Sequence, residues 1–106
     1  MLPERGDVWW CESPDAGRRP GVVLTRDATI VRLRMALVAF ATTNRRHLPT
    51  EVPLEPGDDP VPLPCVLALD TPQLVPVSWL TQRLGSLGAD RMGEVCRAMA
   101  VAIDCD

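Results

Sequence analysis

Short apolar runs separated by turn chemistry constrain this 106-residue chain more than any other feature. The longest, Met35 to Ala41, is seven residues, and eleven prolines and seven glycines punctuate the sequence. Runs of that length suit buried strands, whereas a core helix needs about ten or more residues with a 3.6-residue period. Val8–Cys11, Gly21–Thr25 (GVVLT), Ala36–Ala41 (ALVAFA), Thr50–Leu54 and Cys65–Leu69 (CVLAL) therefore read as strands. Ser13-Pro-Asp-Ala-Gly17 supplies a turn, and Pro20 suits the position that opens a strand. Glu55 to Pro60 reads as an exposed loop, Pro72 and Pro76 interrupt the next segment, and Trp79–Leu87 gives a turn and a last strand. Arg26–Arg34, with Ile30 and Leu33, fits a loop-plus-turn or an early strand equally well.

Beyond Gly88, which can serve as an N-cap, the period changes. Met92, Val95, Cys96, Met99, Ala102 and Ile103 recur at helical spacing, with Arg91, Glu94 and Arg97 opposite. Several short strands and one closing helix predict a mainly β chain with a helix, a small barrel capped by a C-terminal α-helix. The length allows one modest core, so residues 1–106 are expected to form a single domain. No stretch approaches the ~20 apolar residues of a membrane span. The start, MLPERGDVWW, lacks the basic-then-apolar order of a signal peptide. The expectation is a soluble, cytoplasmic protein with no membrane partner.

The net charge of -3 is unevenly placed. Residues 1–50 carry eight arginines against five acids, and residues 51–106 carry three arginines against nine acids. Every basic residue is arginine, the cation whose planar fork matches phosphate. The basic half can thus form a local phosphate-binding patch inside an acidic envelope. Cys11, Cys65, Cys96 and Cys105 contain no C-x-x-C pair, and there is one histidine, so no metal site and no cofactor is expected. Each cysteine reads as a small buried hydrophobe, with a disulfide or interface thiol at Cys105 as the less favoured alternative.

Two polar clusters sit at strand boundaries: Arg18-Arg19 before Pro20 and GVVLT, and Thr42 to His47 after ALVAFA. If those strands are antiparallel neighbours, Arg19 and Thr42 meet at one rim. A permanently charged guanidinium suits phosphate whose negative charge is building up. A threonine hydroxyl can donate to a phosphoryl oxygen, and Asn44 can reach a base edge. RNA carries its own nucleophile, the 2′-hydroxyl, so neither a protein nucleophile nor a metal is required. His47 can act as a general base, but an exposed loop or base-stacking role ranks first. Trp9 and Trp10 must point to opposite faces of their strand, Trp9 inward and Trp10 toward a dimer interface or a stacked base. Trp79 is expected in the core, and Asp7 in a turn hydrogen bond.

Arg5-Gly6-Asp7-Val8-Trp9, Arg19-Pro20-Gly-Val-Val-Leu-Thr-Arg-Asp27, Ala41-Thr-Thr-Asn-Arg-Arg46, Leu48-Pro-Thr-Glu-Val52 and Arg83-Leu-Gly-Ser-Leu87 together resemble the MazF/PemK toxins. The resemblance runs in order along nearly the whole chain. It implies an SH3-like β-barrel with a C-terminal helix and a homodimer held in check by a cognate antitoxin. It further implies a metal-independent endoribonuclease of a type II toxin–antitoxin system, cutting single-stranded RNA to leave a 2′,3′-cyclic phosphate and a 5′-hydroxyl. Carried over by position, Arg19 and Thr42 are the catalytic pair. Arg18, Thr43, Asn44, Arg45, Arg46, His47 and Gln73 are the expected RNA contacts. Three departures are visible: SPDAG stands where the family often has a longer loop, Asp70-Thr71-Pro72-Gln73 stands where a Gln-x-Arg/Lys arrangement is common, and Thr25 replaces a serine in the second strand, a minor change. The competing expectation is a non-enzymatic protein of the same barrel fold, either a gyrase inhibitor or an inactive antitoxin-binding decoy.

Overall fold

The computed structural model describes residues 1–105. In chain order the elements are β1 (Asp7–Ser13), β2 (Gly17–Val23), α1 (Asp27–Leu33), β3 (Met35–Thr42), β4 (Glu51–Leu54), β5 (Cys65–Ala68), β6 (Gln73–Pro76), a 3-10 turn (Val77–Trp79), β7 (Leu80–Ser86) and α2 (Ala89–Ala102). The strands form one antiparallel sheet in the order β4-β5-β3-β2-β1-β7, with β6 also paired to β3. The mainly β architecture with a C-terminal helix is the one expected. The sheet is barrel-like, but among the described strands no ladder joins β7 to β4, so it does not close.

β3 is the hub. One of its edges pairs with β2, while β6 takes residues 35–38 and β5 takes residues 41–42. Its side chains are buried on both faces, which explains why the run lacks the polar alternation of a half-exposed strand. Ala39 and Ala41 enter a core with Val8, Val22, Leu54 and Leu67, closed by Val95 and Ala98 of α2. Val38 and Phe40 enter a second core with Trp9, Val23, Ile30 and Val75. Trp9 is buried and Trp10 half-exposed, as the strand alternation requires. Trp79 only packs against the edge of the second core.

Four local expectations change. Arg26–Arg34 is neither loop nor strand but mostly helix, because Ile30, its one buried residue, anchors α1 on the second core. Arg34 ends α1 in the left-handed conformation (φ 56°) and bonds back to the Ile30 carbonyl. β2 begins at Gly17, four residues earlier than its apolar run, since Arg18 and Arg19 pair with Glu12 and Cys11 of β1. The proline-flanked segment 73–76 pairs with β3, where Pro76 closes an edge strand, a place that tolerates the missing N–H. The loop after β4 is not simply exposed: Asp59 is buried, takes two hydrogen bonds from Arg91 of α2 at 3.0 Å and accepts the Glu55 N–H at 2.9 Å.

All four cysteines are free. Cys11 and Cys65 are buried, and burial pushes their thiols up, which keeps them protonated and inert. Cys96 and Cys105 are exposed, against expectation: α2 turns only Val95 and Ala98 fully onto the sheet, and Cys105 lies past the end of that helix. No helix among the described residues is long and apolar enough to cross a membrane.

Asp7 ties the start of β1 to β7. Its carboxylate accepts the Glu4 N–H (2.9 Å), the Trp9 indole N–H (3.1 Å) and the Ser86 hydroxyl (2.8 Å), with the Arg83 guanidinium 3.4 Å away. Burial opposes the charged form, but these donors outweigh it and hold the carboxyl below its ordinary 3.8. A depressed folded-state value adds stability that is complete above the unfolded value and lost as pH falls through the folded one. Asp7→Asn is therefore expected to cost about 1–3 kcal/mol at neutral pH and to flatten the acid limb of stability below about pH 4, both read by urea denaturation. In the same assay Ile30→Ala should cost about 2–5 kcal/mol, because α1 has no other buried anchor.

Candidate functional site

The β2–β3 register creates the site. Gly21 pairs with Phe40 at the end of the antiparallel ladder, and two residues further along each strand Arg19 and Thr42 line the same cleft. Phe40, Thr42 and Arg19 share one face. The Arg19 guanidinium lies 4.1 Å from the centre of the Phe40 ring, which holds a long, otherwise free side chain over the rim. Gly21 is needed here, since a Cβ would stand 2.4 Å from the Val38 side chain and force the two strands apart.

Arg19 and Thr42 open onto a cleft of about 280 Å³. Asn44, Arg46 and Gln73, three of the expected contacts, line it as well. The other expected contacts stand elsewhere. Arg18 lies across the sheet, stacked 4.2 Å over Trp10 and bonded to Gln82 at 3.0 Å. Thr43 lines a smaller apolar notch with Trp10, Pro20 and Leu63. Arg45 stands 3.8 Å from Glu55 as an exposed ion pair. His47 is exposed, in the left-handed conformation (φ 57°), and is not among the residues of the cleft wall.

Within the cleft the polar groups are already arranged. The Thr42 hydroxyl oxygen accepts the Asn44 N–H at 3.1 Å, which orients it and leaves its own proton free to donate outward. Among the described residues neither Arg19 nor Arg46 makes an ion pair, so both cations are available to an anion. The far wall carries two acids that the sequence did not single out. Asp70 accepts the Thr50 hydroxyl at 2.5 Å, and Glu51 accepts the N–H groups of Arg46 and Leu48. Thr71, Leu48 and Ala68 complete the wall. Thr50 precedes β4 and Asp70 follows β5, and their pairing needs the β4–β5 ladder and the Leu69 N–H to Thr50 carbonyl bond (3.0 Å), long-range contacts that no local pattern announces.

Two guanidiniums without ion-pair partners, an outward hydroxyl donor and an amide at the rim of a rigid strand pair make a cleft with the donors and charge that suit an anion, on a barrel-like scaffold. Comparison with known proteins gives that scaffold a family. Residues 4–103 match the PemK-like, MazF-like toxins of type II toxin–antitoxin systems, and the chain belongs to that family. It is 55% identical over 104 residues to the probable endoribonuclease MazF5 of Mycobacterium tuberculosis, covering 98% of this chain and 95% of that relative. The endoribonuclease MazF3 of the same species is 34% identical over 88 residues, 83% of this chain and 84% of the relative. Among solved structures, a mycobacterial endoribonuclease in complex with its cognate antitoxin superposes with a TM-score of 0.88 at 25% identity, covering 98% of this chain and 97% of that one. The Mycobacterium tuberculosis toxin MazF-mt6 superposes with a TM-score of 0.85 at 30% identity, over 94% and 98%.

Proposed function

We propose that this chain is a single toxin domain acting as an endoribonuclease on single-stranded RNA, without a metal, in the cytoplasm. The observation that carries the reading is the meeting of Arg19 and Thr42 at one cleft, with Asn44 and Arg46 beside them. The 2′-hydroxyl attacks the adjacent phosphorus and forms the fifth P–O bond. The bond to the 5′-oxygen then breaks, leaving a 2′,3′-cyclic phosphate on one product and a 5′-hydroxyl on the other. The proton leaves the 2′-oxygen, and one is delivered to the departing 5′-oxygen, so no water or cofactor is consumed.

Arg19 suits the stabilisation of the pentacoordinate phosphorane, whose negative charge grows where a fixed cation can meet it. Thr42 supplies a neutral donor to a non-bridging oxygen. Arg46 anchors a neighbouring phosphate, and Asn44 and Gln73 are placed to read base edges. The two guanidiniums provide the positive charge that a metal supplies in other phosphoryl-transfer sites, which supports the metal-free reading. A partner follows from the same resemblance: a cognate antitoxin, which a structural relative holds in complex, and which on this reading silences the toxin by covering the cleft. A homodimer is supported by the apolar surface that α2 leaves open, where Ile103 is 61% exposed beside Met92 and Met99.

Incubation of one long unstructured RNA with purified protein in excess EDTA tests the reading. Cuts at a short recurrent sequence are expected, and Arg19→Ala should lower the rate by about 100-fold or more while leaving thermal stability and antitoxin binding in place. Full activity in Arg19→Ala would remove that residue from the chemistry. Intact RNA on every substrate, with antitoxin binding retained, would turn the reading to a non-enzymatic toxin or decoy.

A further inference from the structure

A carboxylate in a phosphate-binding cleft is a puzzle. Glu51 lines the same cleft as Arg19 and Arg46, and a free anion there would repel the phosphate that the arginines attract. It makes no ion pair with either of them. Its oxygens point instead at the backbone of the preceding loop. Oε1 accepts the N–H of Arg46 at 3.1 Å and of Leu48 at 3.3 Å, and Oε2 also lies 3.1 Å from the Arg46 nitrogen. The Glu51 N–H donates to the Leu48 carbonyl at 3.1 Å, closing the turn from the other side. Between the captured amides His47 holds a left-handed conformation (φ 57°), which a residue with a Cβ keeps only where its surroundings enforce it.

The loop between β3 and β4 is otherwise poorly supported. Residues 43–49 are all exposed, and the other side-chain ties among the described residues are the Thr42 oxygen on the Asn44 N–H and the exposed 3.8 Å ion pair of Arg45 with Glu55. Asn44, Arg46 and Leu48 nonetheless enter the cleft wall. Glu51 is the first residue of β4, which is fixed through its pairing with β5. It therefore connects a rigid strand to the loop that carries the substrate-facing groups.

We propose that Glu51 is the positioning residue of the cleft: its carboxylate clamps the Arg46 and Leu48 amides and so presents Arg46 and Asn44 to the RNA. The proposal rests on the ribonuclease reading for its substrate and on the structure alone for the clamp. Binding its oxygens to N–H donors also spends the negative charge on the protein, which lets an acid occupy this wall. Glu51 does no chemistry, and its effect passes entirely through the loop.

Glu51→Ala and Glu51→Gln separate the possibilities. Gln keeps one carbonyl oxygen for both amides but turns the Oε2 contact with the Arg46 N–H into a donor facing a donor, so its KM should lie between those of the parent and Glu51→Ala. With the RNA oligonucleotide that the parent cuts, Glu51→Ala should raise KM by about tenfold with kcat within about threefold, the pattern of lost binding rather than lost chemistry. Thermal stability should fall by only a few degrees, and amide hydrogen exchange at Arg46 and Leu48 should quicken by about 100-fold in Glu51→Ala and by less in Glu51→Gln.

Unchanged KM in Glu51→Ala would overturn the proposal, and tighter RNA binding would mean that Glu51 blocks the cleft rather than shaping it. Loss of kcat at constant KM in both variants would make Glu51 an acid or base. If Glu51→Ala does not fold, Glu51→Gln decides: a KM raised by less than about tenfold in the folded variant supports the clamp, and a parental KM refutes it. Should the parent protein cut no RNA, the ribonuclease reading fails by itself. The exchange rates and the binding of an uncleavable 2′-deoxy oligonucleotide still judge the clamp, and parental values of both in Glu51→Ala refute it.

Discussion

Strand β3 is buried on both faces and paired along both edges, and nearly everything else in the molecule is placed by that one constraint. A strand with a core on each side cannot slip by a residue, because a slip would exchange the two sets of side chains between cores of different shape. Ala39 and Ala41 fit under α2, while Val38 and Phe40 fit against Ile30 and Trp9. With β3 fixed, the β2 register follows, and beyond the last pair, Gly21 with Phe40, Arg19 and Thr42 come to one cleft. The cleft is thus a by-product of core packing carried just past the end of the ladder. That origin explains how a half-buried pair of polar residues can be held rigidly without a dedicated scaffold of its own.

The charges in the cleft obey a simple division. The acids are engaged by neutral donors, Glu51 by backbone amides and Asp70 by the Thr50 hydroxyl. The cations are not engaged by acids: Arg19 rests on an aromatic ring, and Arg46 has no ion-pair partner. Cation–π stacking orients a guanidinium while leaving its N–H donors available, since the ring meets its flat face. An ion pair would have used those donors and lowered the field that an incoming phosphate meets. Arg18 and Arg45, engaged with Trp10, Gln82 and Glu55, stand outside the cleft wall.

Where local chemistry and tertiary packing agree, the sequence could be read directly. ALVAFA is a strand throughout, GVVLT and CVLAL are strand as far as Val23 and Ala68, Gly88 caps α2, and the Ser13–Gly17 turn forms with Gly17 at φ 76°. The failures occur where a long-range contact overrides a local preference. DATIVRL has middling helix propensity and few residues, yet Ile30 finds a cavity in the second core and the segment coils around it. Asp59 looked like loop solvent because its partner Arg91 lies thirty-two residues away. In the site, Arg19, Thr42, Asn44 and Arg46 were legible because they sit just beyond apolar runs whose pairing could be guessed. Glu51 and Asp70 were not, since an acid says nothing about whether its oxygens face solvent, a cation or a backbone amide.

The opposite charge of the two halves of the chain acquires a physical sense in this arrangement. Asp58, Asp59, Asp90 and Glu94 gather around the start of α2, where Arg91 is the one cation in their midst. Uncompensated cations spread over a surface would bind every polyanion they met, with an affinity set by salt rather than by fit. Here exposed acids and exposed arginines are matched in number among the described residues, and a low-dielectric concavity concentrates the positive potential of Arg19 and Arg46 at the cleft. On the proposed reading, a nucleic acid is held only where a flexible single strand can bend a phosphate into the space between Arg19 and Arg46. A stiff duplex, whose phosphates stay on a cylinder, gains little there. The preference for single strands would then come from the geometry of the cleft, before any base is read.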